Sequence, residues 1–456
     1  MAFIKQKFKI PAYKWLYIKY AVALVIGIVT GYKLIPASAQ TVITGAILAY
    51  CIFVGLREQF DKLFAILPIA CYHEAYMRGF VRTFPYLALQ YCFMIIFGFL
   101  ILKHIGVRKP HTKSFIFMLI FGVIEILNGL SPNDPILLKP ILTQSLCLVV
   151  VIIWASFNKL SPILIHRMLT YIKIAGVYLT GIVLVAHIQG GIEYNTESNF
   201  GSSNGLAPVQ LSGYLGFASL LFIFSFLNPQ EAKYKTLNIS LFILVSSVMI
   251  LTFSRGGLYF VGIVMAAYIY FNRANLKSYA RIIFLIPIGV MVYYIVVGQT
   301  GGAIVKRYEK KGSSNRDVLV EIAFKLFLDE PITGVGTSNF DTEIVKRKYF
   351  SQISTAHNEF VRAIAEHGIF GMITYWGFFI ALFIDIFKRR GPPKEFSTYF
   401  LLLFCLIIVH NGLKISIQPL LIILAIANPT LNTATQKIFS TNRIANNNNK
   451  NKLRTA

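Results

Sequence analysis

Long apolar runs recur along almost the entire chain, and they limit its fold more than any single motif does. A helix needs about 20 mainly apolar residues to cross a hydrocarbon core ~30 Å thick. Strong candidates are residues 22–35, 42–56, 87–102, 115–130, 141–157, 174–188, 206–227, 237–253, 258–271, 282–297, 369–387 and 396–409. Two weaker ones are 63–77, which holds His73 and Glu74, and 415–427. The expected fold is an all-α integral membrane protein, a polytopic bundle of 12–14 transmembrane helices.

Composition excludes the main alternatives. Only 14% of the 456 residues are charged and 56% are hydrophobic, with a mean hydropathy of +0.63, whereas a soluble domain carries about 25% charged residues. A water-soluble globular enzyme and a disordered chain are both ruled out. So is a nucleic-acid-binding module, despite a formal charge of +25, because basic residues of bilayer proteins mostly encode orientation. The five cysteines (Cys51, Cys71, Cys92, Cys147, Cys405) all lie in apolar runs without zinc or redox spacing, and read as packing residues.

The start of the chain imitates a secretory signal, with Lys5, Lys7 and Lys9, an apolar run and then Ala37-Ser38-Ala39. Lys33 inside that run and the long basic stretch favour an uncleaved first helix. Threading all fourteen runs alternately puts 27 basic residues on one side and six in the short loops of the other (Lys33, Arg78, Arg82, Lys139, Arg255, Lys414). The richer side is cytoplasmic by the positive-inside rule. Ser254-Arg255-Gly256-Gly257, the polar segment 298–355 and His357 then share the opposite side. The expected division is an N-terminal transmembrane bundle (1–236), a region of candidate chemistry (237–387) with a large external loop (298–357), C-terminal transmembrane helices (388–428) and a disordered cytoplasmic tail (429–456). The Asn/Lys-rich stretch 446–452 belongs to that tail.

The polar segment is far longer than an ordinary connection of about 4–6 residues. A helix capped by Ser314 or Asn315 is expected in it, with Val318, Leu319, Ile322, Ala323, Leu326 and Phe327 on one face and Glu330-Pro331 as its stop. Its lysines suit anionic headgroups. Arg255 and Arg316 are better ligand candidates, since a guanidinium binds phosphate oxygens bidentately, and Gly256 and Gly257 permit close backbone approach. Lys306 and Arg307 are second-line phosphate contacts. His357 precedes Asn358-Glu359-Phe360, and the helix that starts there reaches a plausible C-cap at Gly368. Capping by Asn358 or Thr355 leaves His357 near the positive helix end, which favours the neutral ring a general base requires. Glu359 is placed to orient it. The other seven histidines read as polar packing residues, His410 in its own His-Asn-Gly included.

Together these pieces resemble the O-antigen ligase and polymerase superfamily. The matching elements are Ser254-Arg255-Gly256-Gly257, Asn315-Arg316-Asp317, Asp329 through Gly336 followed by Asn339-Phe340, and His357-Asn358 with nine residues before Gly368 and two more before Gly371. The last spacing is similar to the ligase branch. The resemblance implies a GT-C-like, metal-independent glycosyltransferase without a cofactor, working at the periplasmic face of the bacterial inner membrane. Its donor would be a glycan on undecaprenyl pyrophosphate. Its acceptor would be lipid A-core in a ligase, another lipid-linked glycan in a polymerase, or a protein hydroxyl in an O-oligosaccharyltransferase. His357 takes the essential histidine role, Arg255 and Arg316 the pyrophosphate-binding role, with Ser254, Gly256, Gly257, Asn358 and Glu359 in support.

Elementary chemistry agrees. Transfer from a pyrophosphate needs charge stabilisation on the leaving group and a base for the acceptor hydroxyl, and direct attack inverts the anomeric carbon. A transporter of lipid-linked sugars is the competing class, but it should carry more ionisable groups deep in its spans than Glu125 and His187, and paired halves. Cysteines placed at positions 255 and 357 should react with a membrane-impermeant maleimide from the same compartment; labelling from opposite compartments removes the shared site.

Overall fold

The computed structural model describes residues 13–81, 85, 87–130, 135–273, 276–310 and 316–427. Lys5, Lys7, Lys9, Arg82, Lys311, Ser314, Asn315 and the tail beyond 427 lie outside these residues. Among the described residues every regular element is a helix. In chain order these are α1 (Tyr13–Gly31), α2 (Ala37–Leu56), α3 (Phe60–Phe80), α4 (Ala88–His104), α5 (Phe115–Asn128), α6 (Pro135–Phe157) and α7 (Pro162–Gln189). The short α8 (Asn199–Ser202) precedes α9 (Pro208–Leu227), α10 (Lys235–Leu251), α11 (Gly256–Phe271) and α12 (Leu276–Gln299). The polar segment holds α13 (Ala303–Lys310), α14 (Arg316–Asp329) and α15 (Phe340–Lys346). The chain closes with α16 (Glu359–Gly371), α17 (Gly377–Lys388), α18 (Pro392–Asn411) and α19 (Gln418–Ile426).

Among the described residues seven stretches are long and apolar enough to cross a membrane, α16 and α17 counting as one, and five shorter apolar helices accompany them. The chain is an all-α polytopic membrane protein. The two remaining runs, both weak in the sequence, behave differently. α3 has 21 residues, about 31 Å at 1.5 Å per residue, and its His73 and Glu74 both find partners inside the bundle. His73 reaches the Tyr178 hydroxyl at 2.7 Å and that of Thr44 at 3.0 Å, while Glu74 pairs with Arg78 at 2.9 Å. Buried polar groups are tolerated when paired in this way.

α19 is a different object from the span expected at 415–427. Nine residues rise only about 13 Å, less than half a hydrocarbon core, and all nine are buried. The chain enters it already sunk in the bundle. The Ser416 carbonyl accepts from the Cys71 thiol at 3.2 Å, and its hydroxyl accepts from Gln90 at 3.3 Å. At the far end the Ile426 carbonyl accepts from Arg389 at 3.0 Å and contacts His111 at 3.3 Å. A cation at these orphan carbonyls ends the helix favourably.

α12 lies at the edge of the bundle, with Ile283, Phe284, Ile286 and Tyr294 more than half exposed; lipid is the natural cover for such a face. The polar segment contributes three helices rather than one and has its own small core, built from Leu319, Ile322, Leu326, Phe340 and Ile344. Val318 is exposed and Phe327 half-buried, so the buried stripe of α14 is narrower than the sequence pattern suggested.

Candidate active site

The histidine motif and the Asp-Glu-Pro motif are two halves of one joint. Asn358 caps α16, its side chain accepting from the Phe360 N–H at 3.0 Å. Gly368 does not end the helix as expected. It breaks it from within at φ +58°, a conformation that glycine adopts without a Cβ penalty, and the chain resumes a helical path to Gly371. The break frees the carbonyls of Ala365 and Glu366, and the loop after α14 satisfies them. Val335 N–H donates to Ala365 at 3.0 Å and Gly336 N–H to Glu366 at 2.9 Å, while Ile369 N–H donates to Pro331 at 2.9 Å. A Cβ on Gly368 would stand 2.5 Å from the Ile332 carbonyl oxygen, so the fit requires glycine on steric grounds too.

His357 lies one residue before this cap, half-buried and at φ +51°. Its Nε2 is 3.3 Å from the Thr355 hydroxyl. The Glu359 carboxylate is engaged elsewhere, by Arg362 at 2.6 Å and by the Leu413 N–H at 3.1 Å.

Arg316 opens α14 with its guanidinium half-buried, and burial lowers its pKa from the ordinary arginine value. Its hydrogen-bond partner among the described residues is Nδ1 of His410, at the end of α18. Arginine has no acceptor, so Nδ1 must accept and the ring is neutral. The same ring lies against Gly256, where a Cβ would stand 2.5 Å from its Nε2, and two residues further on Gly412 packs against the Glu359 carboxylate. His410 therefore joins the starts of α11, α14 and α16 at one end of the bundle.

Arg255 sits at the start of α11, but its guanidinium faces α13. It donates to the Tyr308 carbonyl, contacts the Arg307 carbonyl at 3.4 Å and stacks 5.1 Å from the Tyr308 ring centroid. Burial pushes the Tyr308 hydroxyl up to about 12. Arg307, read from sequence as a phosphate contact, braces the backbone through the carbonyls of Phe253 (2.9 Å) and Thr196, whereas Lys306 is exposed. The turn before α11 is fixed by Ser212, whose hydroxyl accepts from Gly257 N–H at 2.8 Å and donates to the Ser254 carbonyl at 3.2 Å.

Beneath the site lies a buried ionic hub. Arg362 is 7% exposed and contacts Glu125 at 3.0 Å, Glu359 at 2.6 Å and Glu366. Ser145 donates to Glu125 at 3.1 Å, and His367 Nε2 is 3.5 Å from the same carboxylate.

Residues 240–376 match the family model described as O-antigen ligase. The chain carries an O-antigen ligase domain. Among curated proteins no match was found. The family implies transfer of a glycan, by a ligase or polymerase type of glycosyltransferase. Arg255, Arg316 and His357 fall inside the matched ligase domain, whereas His410 falls outside it. Sequence reasoning passed over His410 and Arg362. His410 sits in a span end threaded to the same side as Arg255, and Glu359, Arg362 and Glu366 have the i, i+3 and i+4 spacing of helical ion pairs, so both carried a readable signal. Arg362→Met should leave three buried carboxylates without their cation and cost about 3–5 kcal/mol, seen as loss of monodisperse protein after extraction. Glu125→Gln, which keeps an acceptor oxygen, should cost less.

Proposed function

We propose that the ligase domain moves a glycan from a polyprenyl pyrophosphate, undecaprenyl pyrophosphate in bacteria, to an acceptor hydroxyl at the periplasmic face of the inner membrane. The acceptor class is lipid A-core. The observation that carries this reading is Arg316, a half-buried guanidinium whose partner among the described residues is a neutral imidazole rather than a carboxylate. A cation held this way keeps its charge for an incoming anion, and a pyrophosphate offers the oxygens a guanidinium fork recognises.

In this mechanism the acceptor oxygen attacks the anomeric carbon as its proton passes to His357. The bond from that carbon to the pyrophosphate oxygen breaks, and the lipid pyrophosphate leaves with the electron pair. Configuration inverts in the single displacement. Arg316 and Arg255 stabilise the growing charge on the leaving group. Asn358 fixes the turn that presents His357, while Ser254, Gly256 and Gly257 fix the turn that presents Arg255.

With the full chain in lipid nanodiscs and a purified lipid-linked donor, His357→Ala should lower transfer by about 10²–10⁴ without changing extraction yield. Unchanged turnover would remove the base. Arg316→Gln should lose about 10²–10³, and transfer should persist in the presence of EDTA. Offering lipid A-core, lipid-linked glycan and a hydroxyl-bearing protein in parallel identifies the acceptor; product on either of the latter two alone overturns the ligase assignment.

A further inference from the structure

The site contains a histidine that the proposed chemistry does not use. His410 accepts from Arg316 at Nδ1, so its hydrogen must reside on Nε2. That Nε2 is buried and has no hydrogen-bond partner among the described residues. It faces Gly256, where even a methyl group would collide with the ring. The ring is clamped further by Phe260, edge to face at a centroid separation of 5.9 Å. An unpaired buried N–H is unfavourable, and the arrangement sustains it in order to keep Nδ1 turned toward Arg316. The next residues reinforce the placement. Gly412 lies against the His357–Glu359 turn, where a Cβ would be 2.8 Å from a Glu359 carboxylate oxygen, and Leu413 N–H donates to the same oxygen at 3.1 Å.

We propose that His410 is a positioning residue: its neutral Nδ1 aims the Arg316 guanidinium at the leaving group while its ring spaces α11 from α14. This rests on the reading of Arg316 as a leaving-group ligand. A carboxylate in the same place would aim the arginine equally well but would neutralise it; an imidazole directs the group and leaves its charge unspent.

The two amides that mimic histidine separate aiming from filling. Asn places its oxygen near the Nδ1 position, whereas Gln places its oxygen near Nε2. With the full chain in nanodiscs and the purified lipid-linked donor, His410→Gln should reduce kcat/KM for the donor by roughly ten- to hundredfold, the range for a hydrogen bond to a charged group. His410→Asn should recover most of that loss, and KM for the acceptor should move in neither. In an Arg316→Gln background the difference between the two variants should vanish. His410→Phe, which keeps a ring against Gly256, serves in place of His410→Gln if that variant does not fold, and the same loss is expected. Equal activity of the Asn and Gln variants, with Arg316→Gln still impaired, overturns the positioning role alone. Normal turnover in Arg316→Gln overturns the reading of Arg316 itself, and the positioning role with it.

Discussion

One buried guanidinium, that of Arg362, holds together parts of the molecule that are far apart in sequence. Glu125 reaches it from α5, and Glu359 and Glu366 from its own helix. Each of these glutamates has a second duty. Glu359 takes the Leu413 N–H and so ties the α18–α19 connection, while Glu366 takes the Phe340 N–H at 3.4 Å and so ties α15. The Glu125 backbone carbonyl accepts from Thr337 at 2.8 Å. In a dry interior such a group has no water to fall back on, and removing one member is far more costly than the net worth of the whole set. His357 lies two residues before Glu359, so its height and direction follow from this ion.

The site itself is assembled from chain ends rather than from any one element. α11 contributes its first turn, α14 its first residue, α16 the residue before its cap and α18 its last turn. The bundle supplies rigidity, and the polar segment supplies Arg316 and the plug for the broken helix. Because the plug and the break match hydrogen bond for hydrogen bond, the spacing from His357 to Gly368 and the Pro331–Gly336 loop constrain each other.

How much of this the sequence disclosed depended on whether the determinant was local. Apolar runs identify helices because length and hydropathy are local, and α3, a weaker run because of His73 and Glu74, is a full-length helix with those groups paired inside. The Asn358 cap was readable for the same reason. The run at 415–427 reads as a span although α19 is only nine residues long, because an apolar run does not reveal the depth at which the chain enters it. In the sequence Gly368 reads as a helix end, since only the loop at 331–336, remote in sequence, explains why a helix would break and continue. His410 shows its side of the membrane in the sequence but not its partners: these are Arg316, 94 residues away, and the missing side chain at Gly256.

The contact between Gly256 and His410 carries an implication for how this family diversifies. The imidazole occupies the volume that any side chain at 256 would need, so these two sites share one allotment of space. Homologues that place alanine or serine at the first are expected to carry something slimmer at the second, and the pair should drift together through evolution although it straddles the boundary of the recognised domain.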